Sequence, residues 1–75
     1  MNEATTAALP PLQMLAEIRS WLRAAQATNT RLLSQLSPAA QDENEAEHQT
    51  LTENLANADN AARALVHRIA VRTFK

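Results

Sequence analysis

The sequence predicts an all-α fold, an antiparallel two-helix hairpin, and three observations predict it. Apolar residues recur by threes and fours along two long stretches, the spacing of a helix face packed on another helix. A single proline-marked break at Ser37-Pro38 separates the stretches. The residue choice is also helical: 16 Ala and ten Leu stand against six Val, Ile, Phe and Trp together, and the 75 residues include no Gly,.

Residues 1 to 8 carry no apolar repeat and read as a flexible N-terminal arm,. Pro10-Pro11 then marks a helix start, because proline's missing N–H has no partner in a first turn anyway,. Helix 1 is expected over about 11–36. Its seam runs Leu15, Ile18, Leu22, Ala25, Asn29, Leu32, Leu36, with 15, 22, 29 and 36 as the a positions and 18, 25 and 32 as the d positions. Met14, Trp21 and Leu33 widen it. Asn29 is the polar break in this seam and a candidate for fixing register and partner choice. Trp21 is a candidate interface anchor, since large amphipathic rings concentrate binding energy.

Ser37 is placed to cap a second helix with Pro38 as its first residue. Asp42 followed by Glu45 offers a second, capping-box-like start,. A turn is therefore expected over about 37–41 and helix 2 over about 42–74, the hairpin as a whole filling 9–75. Helix 2 repeats His48, Leu51, Leu55, Ala58, Ala62, Leu65, Ile69. Its first half, 42–59, holds six acids and no Lys or Arg, whereas 60–75 holds Arg63, Arg68, Arg72 and Lys75 and no acid. Both halves complement the helix dipole.

The two expected lengths differ. At about 1.5 Å per residue, helix 1 spans roughly 39 Å and helix 2, counted from its earliest start at Pro38, roughly 55 Å. The end of helix 2 is thus expected to overhang, with Leu65, Val66, Ile69, Val71 and Phe74 offering apolar groups on several sides and forming the expected partner interface,. The core is also thin, with only 18 apolar side chains larger than Ala. Below about 70 to 80 residues, a core rarely supplies more than about 3 to 5 kcal/mol unaided. With no Cys for a disulfide or zinc site, the expected reinforcement is a protein surface: self-association as a homodimer, or a helical protein partner.

Composition argues against most chemistry. Glycine-rich phosphate loops are absent from a chain with no Gly,. His48 and His67 lie 19 apart without metal-ligand spacing, and no nucleophile–base pair suggests itself,. The expectation is a non-enzymatic protein with no cofactor, metal or small-molecule substrate. A net charge of -1 argues against nucleic acid as the principal ligand, although Arg63, Arg68, Arg72 and Lys75 could make electrostatic contacts and leave a nucleic-acid-binding regulator as a third reading. There is no apolar run of spanning length and no leader pattern at the N-terminus, so a cytoplasmic location is expected.

The hairpin pattern, the polar opening Gln41-Asp42-Glu43-Asn44-Glu45-Ala46-Glu47-His48-Gln49 and the apolar end Ala61-Ala62-Arg63-Ala64-Leu65-Val66-His67-Arg68-Ile69 resemble the small helical-hairpin co-chaperones of bacterial type III secretion systems. The likeness covers roughly Leu12 to Val71. It implies docking on a helical-repeat chaperone through one face of the hairpin, without assigning residues to that face. A small inhibitor, for example phage-encoded, that occupies a host protein's groove is the alternative within the same binding class.

Overall fold

The computed structural model describes the backbone of residues 3–74 and the side chains of residues 7–73. Helix α1 spans Glu3–Gln35, a short α2 spans Pro38–Glu43 and α3 spans Glu45–Phe74. The two long helices pack against each other as a hairpin about 58 × 16 × 12 Å in extent. The described residues contain no strand and no residue with positive φ, so every helix boundary is made without the left-handed cap that glycine usually supplies.

The N-terminal boundary differs from expectation. Residues 3–8, read from the sequence as an arm, continue α1 in the structure, and Pro10 and Pro11 lie inside the helix rather than at its start. Interior prolines remove two hydrogen bonds and crowd the preceding turn, at about 3 kcal/mol or more for a typical case. Ala8 is buried, and the hairpin register sets it opposite the last turns of α3. The extension makes α1 33 residues long against 30 for α3. The predicted overhang is thereby corrected: the end of α3 runs alongside the first turns of α1.

The expected turn at 37–41 is largely helical. Ser37 takes an extended backbone and its Oγ accepts from the Ala40 N–H at 3.2 Å, with Pro38 in the first helical position. Gln41 Nε2 reaches back and donates to the carbonyls of Leu33 and Leu36, at 3.1 and 3.0 Å. Those carbonyls lie where α1 ends, the Leu33 carbonyl also accepting from the Leu36 N–H at 3.2 Å, so one side chain helps close a helix that lacks a glycine. Asn44 forms the joint between α2 and α3: its N–H and its Nδ2 both donate to the Ala40 carbonyl, while its own carbonyl accepts from the His48 N–H at 2.9 Å. Asp42 consequently sits within α2 and does not cap α3.

Three cross-helix bonds set the register. Arg19 Nε lies 3.5 Å from Asp59 Oδ1 at the middle of both long helices. Nearer the turn, Asn29 Nδ2 donates to Thr52 Oγ1 at 2.8 Å, and His48 Nε2 donates to the Asn29 carbonyl at 3.3 Å. Thr52 Oγ1 in turn donates a hydrogen bond to the His48 carbonyl at 2.9 Å. Asn29 is only 7% exposed, and its Oδ1 accepts no hydrogen bond from a described residue.

The side chains that this register turns inward are the predicted a positions combined with an unpredicted second row. From residue 15 to residue 36 the half-buried and buried residues are 15, 19, 22, 25, 26, 29, 33 and 36, and on α3 they include 48, 55, 59, 62, 66, 69 and 73. Arg19 and Leu33 thus take the inward places that apolar periodicity gave to Ile18 and Leu32, while Gln26 shares its level with a half-buried Ala25. Asp59 and Val66 likewise replace Ala58 and Leu65.

A candidate protein-binding face

The displaced d positions have a common destination. Ile18, Trp21, Leu32 and Met14 on α1, with Leu51 and Leu65 on α3, are all exposed, from 41% for Ile18 to 68% for Trp21. Spacing alone puts Met14, Ile18, Trp21, Ala25, Thr28 and Leu32 in one stripe, with steps of four, three, four, three and four,. Leu51, Ala58 and Leu65 form a second stripe at intervals of seven.

The two stripes lie on the same side of the hairpin. A shallow groove of about 370 Å³ runs between them, lined by Ala24, Ala25, Thr28, Asn29 and Leu32 from α1 and by Leu51 and Leu55 from α3. In an antiparallel pair, positions three residues after an inward a residue turn to the same flank on both helices, because the opposite chain directions cancel the change of hand. The groove joins the two stripes at Leu32 and Leu51, and helical spacing sets Ile18, Trp21 and Leu65 on the same flank further along. The hairpin itself buries only Ala8, Leu15 and Ala62 as apolar residues among those described.

The residues proposed from sequence are distributed unevenly. Trp21 and Leu65 belong to this face. Val66 and Ile69 are half-buried on the inward row of α3, where they serve the hairpin contact. Val71 is exposed, yet it falls off both stripes. With Leu65, His67, Arg68, Ile69 and Arg72 it lines a separate open groove of about 620 Å³ along the end of α3. Arg63 is exposed and outside that groove. The Phe74 side chain and Lys75 lie outside the described residues. Asn29 is buried and bonded to α3, next to the apolar groove.

Sequence reading had named Met14, Ile18, Leu32 and Leu51 only as seam residues. The signal that could have singled them out is the presence of two adjacent rows, each with helical spacing, where one partner helix covers only one.

No group of three or more His, Asp or Glu capable of holding a metal occurs among the described residues. No described helix is long and apolar enough to cross a membrane. Comparison with family models, with curated proteins and with solved structures returns no match.

Proposed function

We propose that this chain is a non-enzymatic protein-binding module that docks a helical partner against the face formed by Met14, Ile18, Trp21, Leu32, Leu51 and Leu65. The observation that carries the reading is the exposure of six large apolar side chains on one side of a molecule with a very small apolar core. Contiguous exposed apolar surface in a small domain marks an interaction site, and the stripe spacing suits another helix rather than a flat or pocketed ligand. Trp21 is the residue on which binding energy is expected to concentrate.

A secretion co-chaperone and a small inhibitor both use such a face and differ in the partner that occupies it. Both are compatible with a cytoplasmic location, which belongs to the same proposal. The test is co-purification of the tagged chain with cellular proteins and with a differently tagged second copy, compared with its Trp21→Glu variant. A protein or second copy retained by the parent and released by the variant is the expected result. Equal retention by both, or retention of nothing by either, overturns the reading.

The exposed Arg68 and Arg72 beside Leu65 and Val71 support a second reading, binding of nucleic-acid phosphates along the end of α3. Affinity for DNA or RNA measured over a salt series decides it, since phosphate binding must weaken steeply as salt rises.

A further inference from the structure

We propose that the occupant of the two-helix apolar face is a second copy of the same chain, stacked face to face and reversed end for end, giving a four-helix bundle. The inference rests on the protein-binding reading and names the partner.

Charge complementarity selects the copy and its direction. Level with the Arg19–Asp59 pair, the hairpin divides into a turn half and an open half. Residues 19–59 carry three arginines and six acids, 3 − 6 = −3, whereas the described residues 7–18 and 60–73 carry three arginines and one acid, 3 − 1 = +2. Each hairpin is therefore a charge dipole along its length. Stacking two copies with their turns at the same end sets −3 against −3. A twofold axis perpendicular to the helices sets −3 against +2 at both ends, which is attractive and fixes orientation.

Shape agrees with the charge. The broad side of the hairpin, 58 × 16 Å, is large enough to hold the roughly 800 Å² per partner of a stable interface. An axis at mid-length passes near Ala58, with Leu51 and Leu65 seven residues to either side. The reversed copy thus brings its Leu65 against Leu51 and its Leu51 against Leu65, with the small Ala58 pair admitting close approach at the centre. On α1 the same level lies between Ile18 and Trp21, so each meets the other across the axis. The face is self-complementary about one point, as a twofold interface requires.

The experiment is light scattering on the purified full chain at tens of micromolar, combined with cysteine cross-linking in a chain that has no native cysteine. The expected mass is about twice 8.2 kDa. Ala58→Cys should cross-link to itself on mild oxidation, and a mixture of Leu51→Cys with Leu65→Cys should give the mixed dimer. Arg63→Cys, which lies off both stripes, should not. Ile18→Glu should halve the mass; since the cross-linking variants keep Ile18, the assignment stands or falls on them even if Ile18→Glu also loses helicity.

A helical monomer overturns the proposal, as does a dimer in which Arg63→Cys cross-links and Ala58→Cys does not. A monomer that still retains a Trp21-dependent protein leaves the binding-module reading intact, while a monomer that retains none removes both.

Discussion

The turn half and the open half of the hairpin are held together by different forces. Around the turn the contacts are directional: Asn29 to Thr52, His48 to the Asn29 carbonyl, Gln41 to two carbonyls of α1 and Ser37 to Ala40. Toward the open end they are steric, with Leu15, Ala62 and Ala8 buried where the helices run side by side. Directional bonds have one good geometry and so fix register, whereas small apolar side chains set how closely the helices approach. The molecule needs both, because a seam rich in alanine tolerates sliding that hydrogen bonds forbid.

This contrast is best broken first at the steric end. Leu15→Ala removes the largest buried apolar group and is expected to destabilise by about 2 to 5 kcal/mol, comparable with the whole stability of a chain this short. Loss of the cooperative melt followed by circular dichroism at 222 nm checks it; an unchanged midpoint would mean that the turn half suffices.

At the directional end, Asn29→Ala is expected to cost about 1 to 3 kcal/mol through the lost bond to Thr52 and the space left behind. Asn29→Leu sharpens the comparison. It removes the Oδ1 acceptor that lacks a donor, so stability should hold while register loosens. Extra or broadened amide resonances in a two-dimensional NMR spectrum would report the loosening, and a single sharp set would assign register to other residues.

Smaller effects are expected at the helix ends. Ser37→Ala should cost about 0.5 to 2 kcal/mol by leaving the Ala40 N–H without its cap,. Gln41→Ala, which removes the side-chain bonds to the Leu33 and Leu36 carbonyls, should cost about 1 kcal/mol,. Denaturant midpoints at constant slope measure both. Smallest of all is Arg19→Ala, which breaks a half-buried ion pair at 3.5 Å and should cost about 0 to 1 kcal/mol, an effect that shrinks further in high salt.

Much of this was legible in the residues. The break at Ser37-Pro38, the helical character of both long segments and the inward a positions 15, 22, 29, 36, 48, 55, 62 and 69 follow from proline chemistry and periodicity. The N-terminal boundary did not, because Pro10-Pro11 is a start signal locally and becomes a helix interior only where α3 offers a surface to cover Ala8. Gln41 was invisible as a cap, since its partners stand five and eight residues away and meet it only after α2 has turned the chain.

Proline placement and apolar periodicity specify two long helices, the point where they part and the a positions that face inward. Only the tertiary structure decided which row would complete the hairpin. Successive side chains on a helix differ by about 100°, so positions three and four after an a residue lie on either flank of it, and periodicity alone does not choose between Ile18 and Arg19 or between Ala58 and Asp59. The choice belongs to both helices jointly: the observed register turns Arg19, Gln26 and Leu33 inward together with Asp59 and Val66, and that rotation leaves Ile18, Leu32, Leu51 and Leu65 outward.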